Sequence, residues 1–501
     1  MDRPEPNGRI VPPPTQPLRV ARDLVADLFT SPLGLVLRDF RGDFYQYDGA
    51  CWPETDSRLV RASTYRWLET AVYEKASKRG VILASWDPTR RKIDDVLDAV
   101  RAVVVLPNTE PPLWTDGAGD PPAAQIVSMA NGLLHVPTRT LHEHTPRFFN
   151  HYALPFDFTW DAPTPEYWLA FLHELWPDDA SAIDTLQELF GYILAGDTRQ
   201  QKMFLLVGPR RGGKGTIGRV LTGLLGAHNV AAPTMASLAT NFGLQPLIGR
   251  PLGLISDARL SGRSDSKVVV ERLLSISGED SLTIDRKYKD PWTGRLPTRF
   301  VILTNELPRL SDASGALASR FIVFVLTKSF LGKEDPRLTE RLLNEASGIF
   351  NWALVGFDRL MERGYFEPPL SSREAVQQLE DLASPVTAFL REYCDVGADR
   401  RVGVDDLWRA WRTFCEDQHR GPGTKDVFGR DLRAALPTVR KTRPREGGDS
   451  RTHVYEGLGL NATGKTLLDR GDHRDQRTAG HTGQGDRAMY SQGDVWEPEA
   501  A

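Results

Sequence analysis

Apolar residues along this chain change their spacing several times, and the changes mark its elements. Three- and four-residue spacing in RASTYRWLETAVYEKASKRG (61–80) and RRKIDDVLDAVRAVV (90–104) predicts helices, and an aromatic FYQYDGACW (44–52) before them predicts a strand. Short apolar runs broken by turn residues across 126–158 predict strands, and EYWLAFLHELW and SAIDTLQELFGYILAG predict two helices ending near Gly196. The pattern then shifts. MFLLV (203–207), PLGLIS (251–256) and RFVILT (299–304) are continuous apolar runs, as in strands buried on both faces, with helical segments 216–226 and 267–277 between them. That alternation predicts an α/β core built on a parallel sheet. A helical tract over 335–364 follows, and then helices in VTAFLREYC, VDDLWRAWRTFCEDQ and DVFGRDLRAAL before a strand-like HVYEGLGL.

Punctuation between these patterns predicts the domains. Residues 1–20 are Pro-rich and read as a disordered leader, with structure beginning near Ala21, and 21–124 read as an α+β domain closed by the Pro- and Gly-rich stretch 106–125. Residues 125–200 read as strands and then a helical collar, 201–370 as the α/β core and 371–460 as a small C-terminal domain, while the polar, Gly-rich 461–501 reads as a disordered tail. The 501 residues fit roughly three domains.

Composition narrows the class. Lys and Arg number 62 against 66 Asp and Glu, a formal net charge of −4, which excludes a globally polycationic protein and requires any nucleic-acid surface to be local. Cys51, Cys394 and Cys415 are far apart and form no C-x-x-C pair, so neither a disulfide framework nor a cysteine zinc site is expected. With no apolar signal core and no run of membrane-spanning length, a cytoplasmic protein of a bacterial host cell, without a membrane partner, is expected. His135, His142, His144 and His151 match no zinc spacing and read as loop histidines.

The sharpest chemical signal is Gly208-Pro209-Arg210-Arg211-Gly212-Gly213-Lys214-Gly215-Thr216, directly after MFLLV and before a helical pattern. Strand, Gly-rich loop and helix are the context of a P-loop. There glycines let backbone N–H groups face phosphate oxygens, and the lysine reaches the β- and γ-phosphates of a nucleotide such as ATP. The residue after the lysine is usually Ser or Thr, a Mg²⁺ ligand, but here it is Gly215. Either Thr216 supplies the hydroxyl or Mg²⁺ is held through water. Asp257, after PLGLIS, is the candidate second acidic element for Mg²⁺, with a helix N-cap as its alternative. Asn305, ending RFVILT, is a candidate for holding water or a γ-phosphate, with a turn residue as its alternative.

These pieces, with NGLLHV (131–136), the lead-in 181–208, SGEDSLTIDRKYKDPW, TNELPR and SRFIVF, resemble the superfamily 3 helicases, in particular the poxvirus/phage-type primase-helicase ATPases, over roughly 125–460. The resemblance implies an AAA+-like P-loop core in a hexameric ring acting on single-stranded and forked DNA. It assigns phosphate binding to Lys214, the Mg²⁺ and water role to Asp257, γ-phosphate sensing to Asn305, and to Arg320 an arginine finger for the neighbouring subunit. The sequence departs from the family where Ser256 precedes Asp257 and Ser319 precedes Arg320, positions that often carry a second acid and a second arginine. In this family a hairpin between the second and third motifs projects into the pore. Here that segment carries Arg286, Lys287, Tyr288 and Lys289 with Trp292, and cations interleaved with aromatics suit a single strand. A solvated charged hairpin is the plainer alternative.

Near the C-terminus Arg430, Arg433, Arg440, Lys441, Arg443, Arg445 and Arg451 outnumber the acids around them. Helices followed by a basic turn and a strand resemble an appended winged-helix module contacting duplex phosphates, or else form a structural cap. No D-x-D falls on a strand in the first 125 residues, so no primase site is expected there. The combined expectation is an ATP-dependent replicative helicase of a phage, prophage or mobile element, working beside a separate primase or initiator. A primase-helicase with an unrecognised N-terminal activity and an origin-binding initiator that does not unwind remain as alternatives. A small-nucleotide kinase is more distant.

Overall fold

The computed structural model describes residues 8–78, 80–117, 119–256, 263–308, 316–443 and 453–470. They form two compact units, one reaching Leu379 and the other starting at Glu380. The chain is mixed α/β with a parallel sheet at the centre of the first unit.

Order begins earlier than the prolines suggest. Val11 is buried and its N–H donates to the Val72 carbonyl at 2.9 Å, and a helix starts at Pro17, not near Ala21. Proline serves well there, because the first N–H of a helix has no intrahelical acceptor. Helix Pro17–Leu28 buries Val20, Ala21, Leu24 and Val25 against helix Arg90–Val104, whose Ile93, Val96, Val100 and Val104 repeat at three- and four-residue spacing. Asp56 caps a third helix, Ser57–Leu68, by accepting from the Arg58 N–H at 2.8 Å. The expected helix over 61–80 stops at Leu68. Val72–Ser77 instead pairs antiparallel with Gly80–Ser85, helped by Gly80 at φ +110°. The apolar spacing that continued through Ala71 and Tyr73 reflects their packing into the core with the first helices, not a longer helical face.

The central sheet has five parallel strands: β1 (Met203–Val207), β2 (Val230–Ala231), β3 (Leu252–Ile255), β4 (Arg299–Thr304) and β5 (Phe321–Val325). Their spatial order is β2-β3-β4-β1-β5. Every residue of β4 is buried, as expected for an interior strand covered on both faces. One face carries Phe204, Leu206 and Phe324 against helices Ala180–Leu194 and Ala346–Arg363, and the other carries Leu205, Ile302 and Val323 against helix Arg263–Ser277. The two covering helices meet at glycines: a Cβ on Gly356 would stand 2.7 Å from Gln187 Cγ, and one on Gly191 2.7 Å from Phe357 Cβ. Strands Leu282–Arg286 and Lys289–Gly294 form a separate antiparallel hairpin.

The second unit runs helix Pro385–Tyr393, strand Cys394–Gly403, helices Val404–Asp417 and Lys425–Ala435, then strands Arg440–Thr442 and Val454–Leu460. Val454–Leu460 is the middle of its antiparallel sheet, and Phe389, Trp411, Phe414 and Phe428 fill the core. Residues 462–470, expected in the disordered tail, are helical, because Leu467 is wholly buried in that core. Residues 471–501, like 1–7 of the leader, lie outside the described residues.

Candidate functional site

The loop after β1 lies at the carboxyl edge of the sheet, where open α/β folds bind ligands. Its shape depends on glycine at defined points. A Cβ on Gly208 would strike the Leu326 carbonyl oxygen, and one on Gly213, at φ +89°, would stand 2.8 Å from Leu175 Cδ2. The loop therefore threads between the chain leaving β5 and helix Glu166–Leu175. Gly208 N–H donates to the Thr304 carbonyl at 3.3 Å, Gly212 N–H to the Pro209 carbonyl at 3.1 Å, and Phe330 N–H to the Arg211 carbonyl at 3.0 Å. Arg210 offers its carbonyl to Ser329 Oγ at 2.9 Å, while the Arg211 side chain reaches Glu334 at 3.4 Å.

Helix Lys214–Leu225 begins at the loop lysine, so its first-turn N–H groups and positive dipole end face the same edge. Lys214 is buried, and its Nζ donates to the carbonyls of Gly208 at 2.6 Å and Pro209 at 2.7 Å and to Asn305 Oδ1 at 3.2 Å. All three partners are neutral. Burial pushes the ammonium below its ordinary value, the response of a cation enclosed without an anion.

Thr216 is also buried, and its hydroxyl accepts from Arg219 Nη2 at 3.0 Å, while Arg219 Nε donates to Thr339 Oγ1 at 3.0 Å. Arg219 is a site residue that motif reading missed, although its place three residues after Thr216 puts both on one helix face. A Cβ on Gly215 would stand 3.2 Å from Arg219 Nη1, the end of a flexible side chain. Asn305 directly follows β4, and its Oδ1 accepts from Lys214 Nζ. Asp257 follows β3 but lies outside the described residues.

Arg320 lies at the other end of the sheet. Its carbonyl accepts from Met203 N–H at 2.9 Å, at the start of β1, and its Nη1 donates to Ser277 Oγ at 3.0 Å and to the Leu274 carbonyl at 3.4 Å. The five residues of β1, at roughly 3.3 Å each, separate it from its own loop by about 16 Å.

The four hairpin residues divide into two pairs. Arg286 pairs with Asp43, and Lys289 bonds Asp43 at 2.9 Å and Glu54 besides, so both are held by acids of the N-terminal domain; the Arg286 side chain is only 8% exposed. Composition hid this, because the partners lie more than 200 residues earlier in the chain. Trp292 is buried under Arg41, whose guanidinium stands 5.1 Å from its ring. Tyr288 at the turn is 93% exposed, with Lys287 Nζ 5.3 Å from its ring.

In the second unit Arg440, Lys441 and Arg443 are exposed on and just after the edge strand, with Arg440 opposite Glu456, and Arg445 lies outside the described residues. His135 bonds Thr138 Oγ1 at 2.7 Å and Gln125 Oε1 at 3.0 Å. Burial, with Arg41 and Arg250 nearby, pushes His151 down to about 4. Among the described residues no group of three potential metal ligands occurs, and no helix is long and apolar enough to cross a membrane.

Residues 26–177 match the protein family described as "D5 N terminal like", and residues 206–320, from the end of β1 to Arg320, match a family of unknown function, DUF5906. Among solved structures, an apo structure of the NrS-1 C-terminal region is 12% identical with a TM-score of 0.47, covering 83% of this chain and 94% of that one. A second apo structure of that region is 10% identical with a TM-score of 0.43, covering 84% and 96%. JCV helicase with a bound small molecule is 20% identical with a TM-score of 0.27, covering 44% of this chain and 61% of that one.

Proposed function

We propose that this chain is an ATP-dependent DNA helicase of the superfamily 3, phage primase-helicase type, acting in replication as a ring of identical subunits on single-stranded and forked DNA. One observation carries the reading. A buried lysine follows a Gly-rich loop at the carboxyl edge of a parallel sheet, bonded only to neutral carbonyl and amide oxygens and to the asparagine ending the neighbouring strand. A phosphate oxygen makes a stronger, charge-assisted bond with that ammonium than a carbonyl does. The described residues fit Mg²⁺·ATP: the loop 208–213, Lys214 and the helix N-terminus would hold phosphates and the Thr216 hydroxyl the metal, with Asp257 assigned to the metal from the sequence resemblance alone. Bound there, the nucleotide supplies the free energy of phosphoryl transfer to water.

The chain's own residues divide the work. Lys214 releases the Gly208 and Pro209 carbonyls to take phosphate charge, and Asn305 orients what approaches the terminal phosphate. Arg219, which holds the Thr216 hydroxyl, must yield it if Thr216 turns to the metal. Arg320 is too far from its own loop to serve it, so in this reading it completes a neighbour's site, as an arginine finger would. The exposed Lys287 and Tyr288 meet the single strand. The helix-strand-helix-helix-strand-strand order of the second unit fits a winged-helix module presenting Arg440, Lys441 and Arg443 to duplex phosphates.

ATP hydrolysis stimulated by single-stranded DNA, and abolished by Lys214→Ala with the circular dichroism spectrum unchanged, is the expected result. ATPase that survives Lys214→Ala overturns the assignment. A second reading, a nucleotide-dependent initiator that binds DNA without unwinding it, is favoured by the pairing of Arg286 and Lys289 with acids of their own chain. Strand displacement from a fork decides between the two.

A further inference from the structure

We propose that the cavity where the N-terminal domain meets the amino ends of the sheet strands binds a planar organic anion, a ring bearing one phosphate or carboxylate group. The cavity encloses about 460 Å³, within the range of small-molecule sites, and no residue of the 208–216 loop lines it. Its walls include Phe40, Tyr45 and Trp292, which suit a flat apolar body.

The unmatched polar groups on its lining define the ligand. Arg299, at the start of β4, lines the cavity and is only 3% exposed. Its guanidinium donates to the carbonyls of Pro297 and, at 3.4 Å, Ile193, and stands 5.6 Å from the Tyr192 ring. Its Nε has no hydrogen-bond partner, and among the described residues no carboxylate forms an ion pair with it. A buried cation without a counter-ion is an expensive arrangement that a ligand anion relieves. Arg295, exposed at the rim, likewise has a side chain without hydrogen bond or ion pair among the described residues. Of the other charged groups on the lining, Arg41 pairs with Glu110 at 2.7 Å and Arg199 with Asp197 at 2.5 Å, while the Glu279 carboxylate accepts from the Thr198 hydroxyl, so two arginines, Arg299 and Arg295, stand against one carboxylate outside an ion pair. The excess charge on the lining is therefore positive. Asn150 adds a direction, since its Nδ2 donates to the Tyr152 carbonyl at 2.5 Å while its buried Oδ1 accepts from nothing. A fitting ligand brings an anionic group for Arg299 and Arg295 and an N–H or O–H donor for Asn150. Phosphate and carboxylate both satisfy the arginines, so the two are separated by experiment.

Titration calorimetry on the full-length protein, with saturating Mg²⁺·ADP present to occupy the loop at Lys214, tests the proposal with three probes. Thymidine monophosphate carries a ring and a phosphate, orotate a ring and a carboxylate, and thymidine a ring without charge. One or both anions are expected to bind one per chain, with thymidine at least about tenfold weaker because it leaves the arginines unmatched. Arg295→Glu reverses charge at the rim, and Ala124→Trp, at an exposed lining position, obstructs the mouth; each is expected to weaken the binding anion at least about tenfold without touching the buried Arg299. Absence of binding by both anions, thymidine binding as tightly as they do, or affinity unchanged in both variants overturns the proposal. Anion binding that survives both variants and disappears in Lys214→Ala assigns the ligand to the loop and equally overturns it.

Discussion

Asp43 holds Arg286 and Lys289 together, and its removal separates two consequences that a merely structural contact would not. The side chains of Arg286 and Asp43 are 8% and 14% exposed, so Asp43→Ala leaves a guanidinium enclosed without its anion. Breaking a buried pair from one side costs about 3–5 kcal/mol, mostly because the remaining charge stays desolvated. The Lys289–Glu54 pair is 40% and 48% exposed, and pairs in that setting contribute about 0–1 kcal/mol. Asp43→Ala should therefore lower the urea midpoint clearly, while Glu54→Ala barely moves it. The double variant Asp43→Ala/Arg286→Ala should recover much of the loss, because the stranded charge goes with its partner. DNA binding should move the opposite way. In the double variant Asp43→Ala/Glu54→Ala the half-exposed Lys289 loses both its acids and becomes available to phosphates, whereas Arg286 stays enclosed, and each phosphate neutralised on a single strand adds about 0.7 to the slope of log K against log salt. Fluorescence anisotropy with a labelled oligonucleotide at several salt concentrations should show tighter binding by Asp43→Ala/Glu54→Ala and a slope steeper by about 0.7. An Asp43→Ala protein no less stable than Glu54→Ala would show that the pair is not buried in solution. An unchanged slope would show that Lys289 does not meet DNA even when free.

Two further outcomes follow from packing and protonation. Gly356→Ala should destabilise the first unit by about 2 kcal/mol or more, because its Cβ would press on Gln187 backbone and side chain where two core helices touch; a thermal midpoint within a degree of wild type would count against that close approach. His151, with an ordinary value of 6.5, is held near 4 in the folded chain, so between those pH values the unfolded chain binds more protons and stability rises with pH. The advantage is complete above about pH 6.5 and is lost as pH falls to about 4, at most about 3 kcal/mol in all. His151→Phe should flatten this part of the stability–pH profile, and a variant with the wild-type slope would refute the assignment.

The parallel core was legible because β1, β3 and β4 are each a continuous apolar run, and the loop because glycine spacing and lysine share one short segment. Three things were not legible, each for a different physical reason. Helix Pro17–Leu28 begins inside a Pro-rich stretch, where composition indicates disorder but proline at the first helical position is compatible with a helix. Arg219 carries no motif; its role appears only when the helix turns it onto Thr216. The partners of Arg286 and Lys289 are acids more than 200 residues earlier in the chain, and no local window contains both halves of such a pair. The position of Asn305 at the sheet edge could be read because it directly follows a continuous apolar run, whereas a lone cation specifies no partner.

That difference bears on how charge marks function here. A chain with net −4 contains many cations, and counting them by segment selected the hairpin, yet two of its four marked residues are neutralised by carboxylates of the same chain. Lys214 and Arg299 are marked in another way: each is buried, bonded mainly to neutral oxygens, and without a described carboxylate partner. Enclosing a charge in low dielectric is unfavourable unless an opposite charge is supplied. Where the chain supplies that charge, as at Asp43, the cation is a fastening that only competition can open. Where it does not, at the loop after β1 and at the foot of β4, a bound anion is the counter-charge that the two proposals supply. The two unmatched sites lie toward opposite ends of one sheet, so an anion at one leaves the other free to be filled, and the variants Lys214→Ala and Arg295→Glu should act on separate binding events.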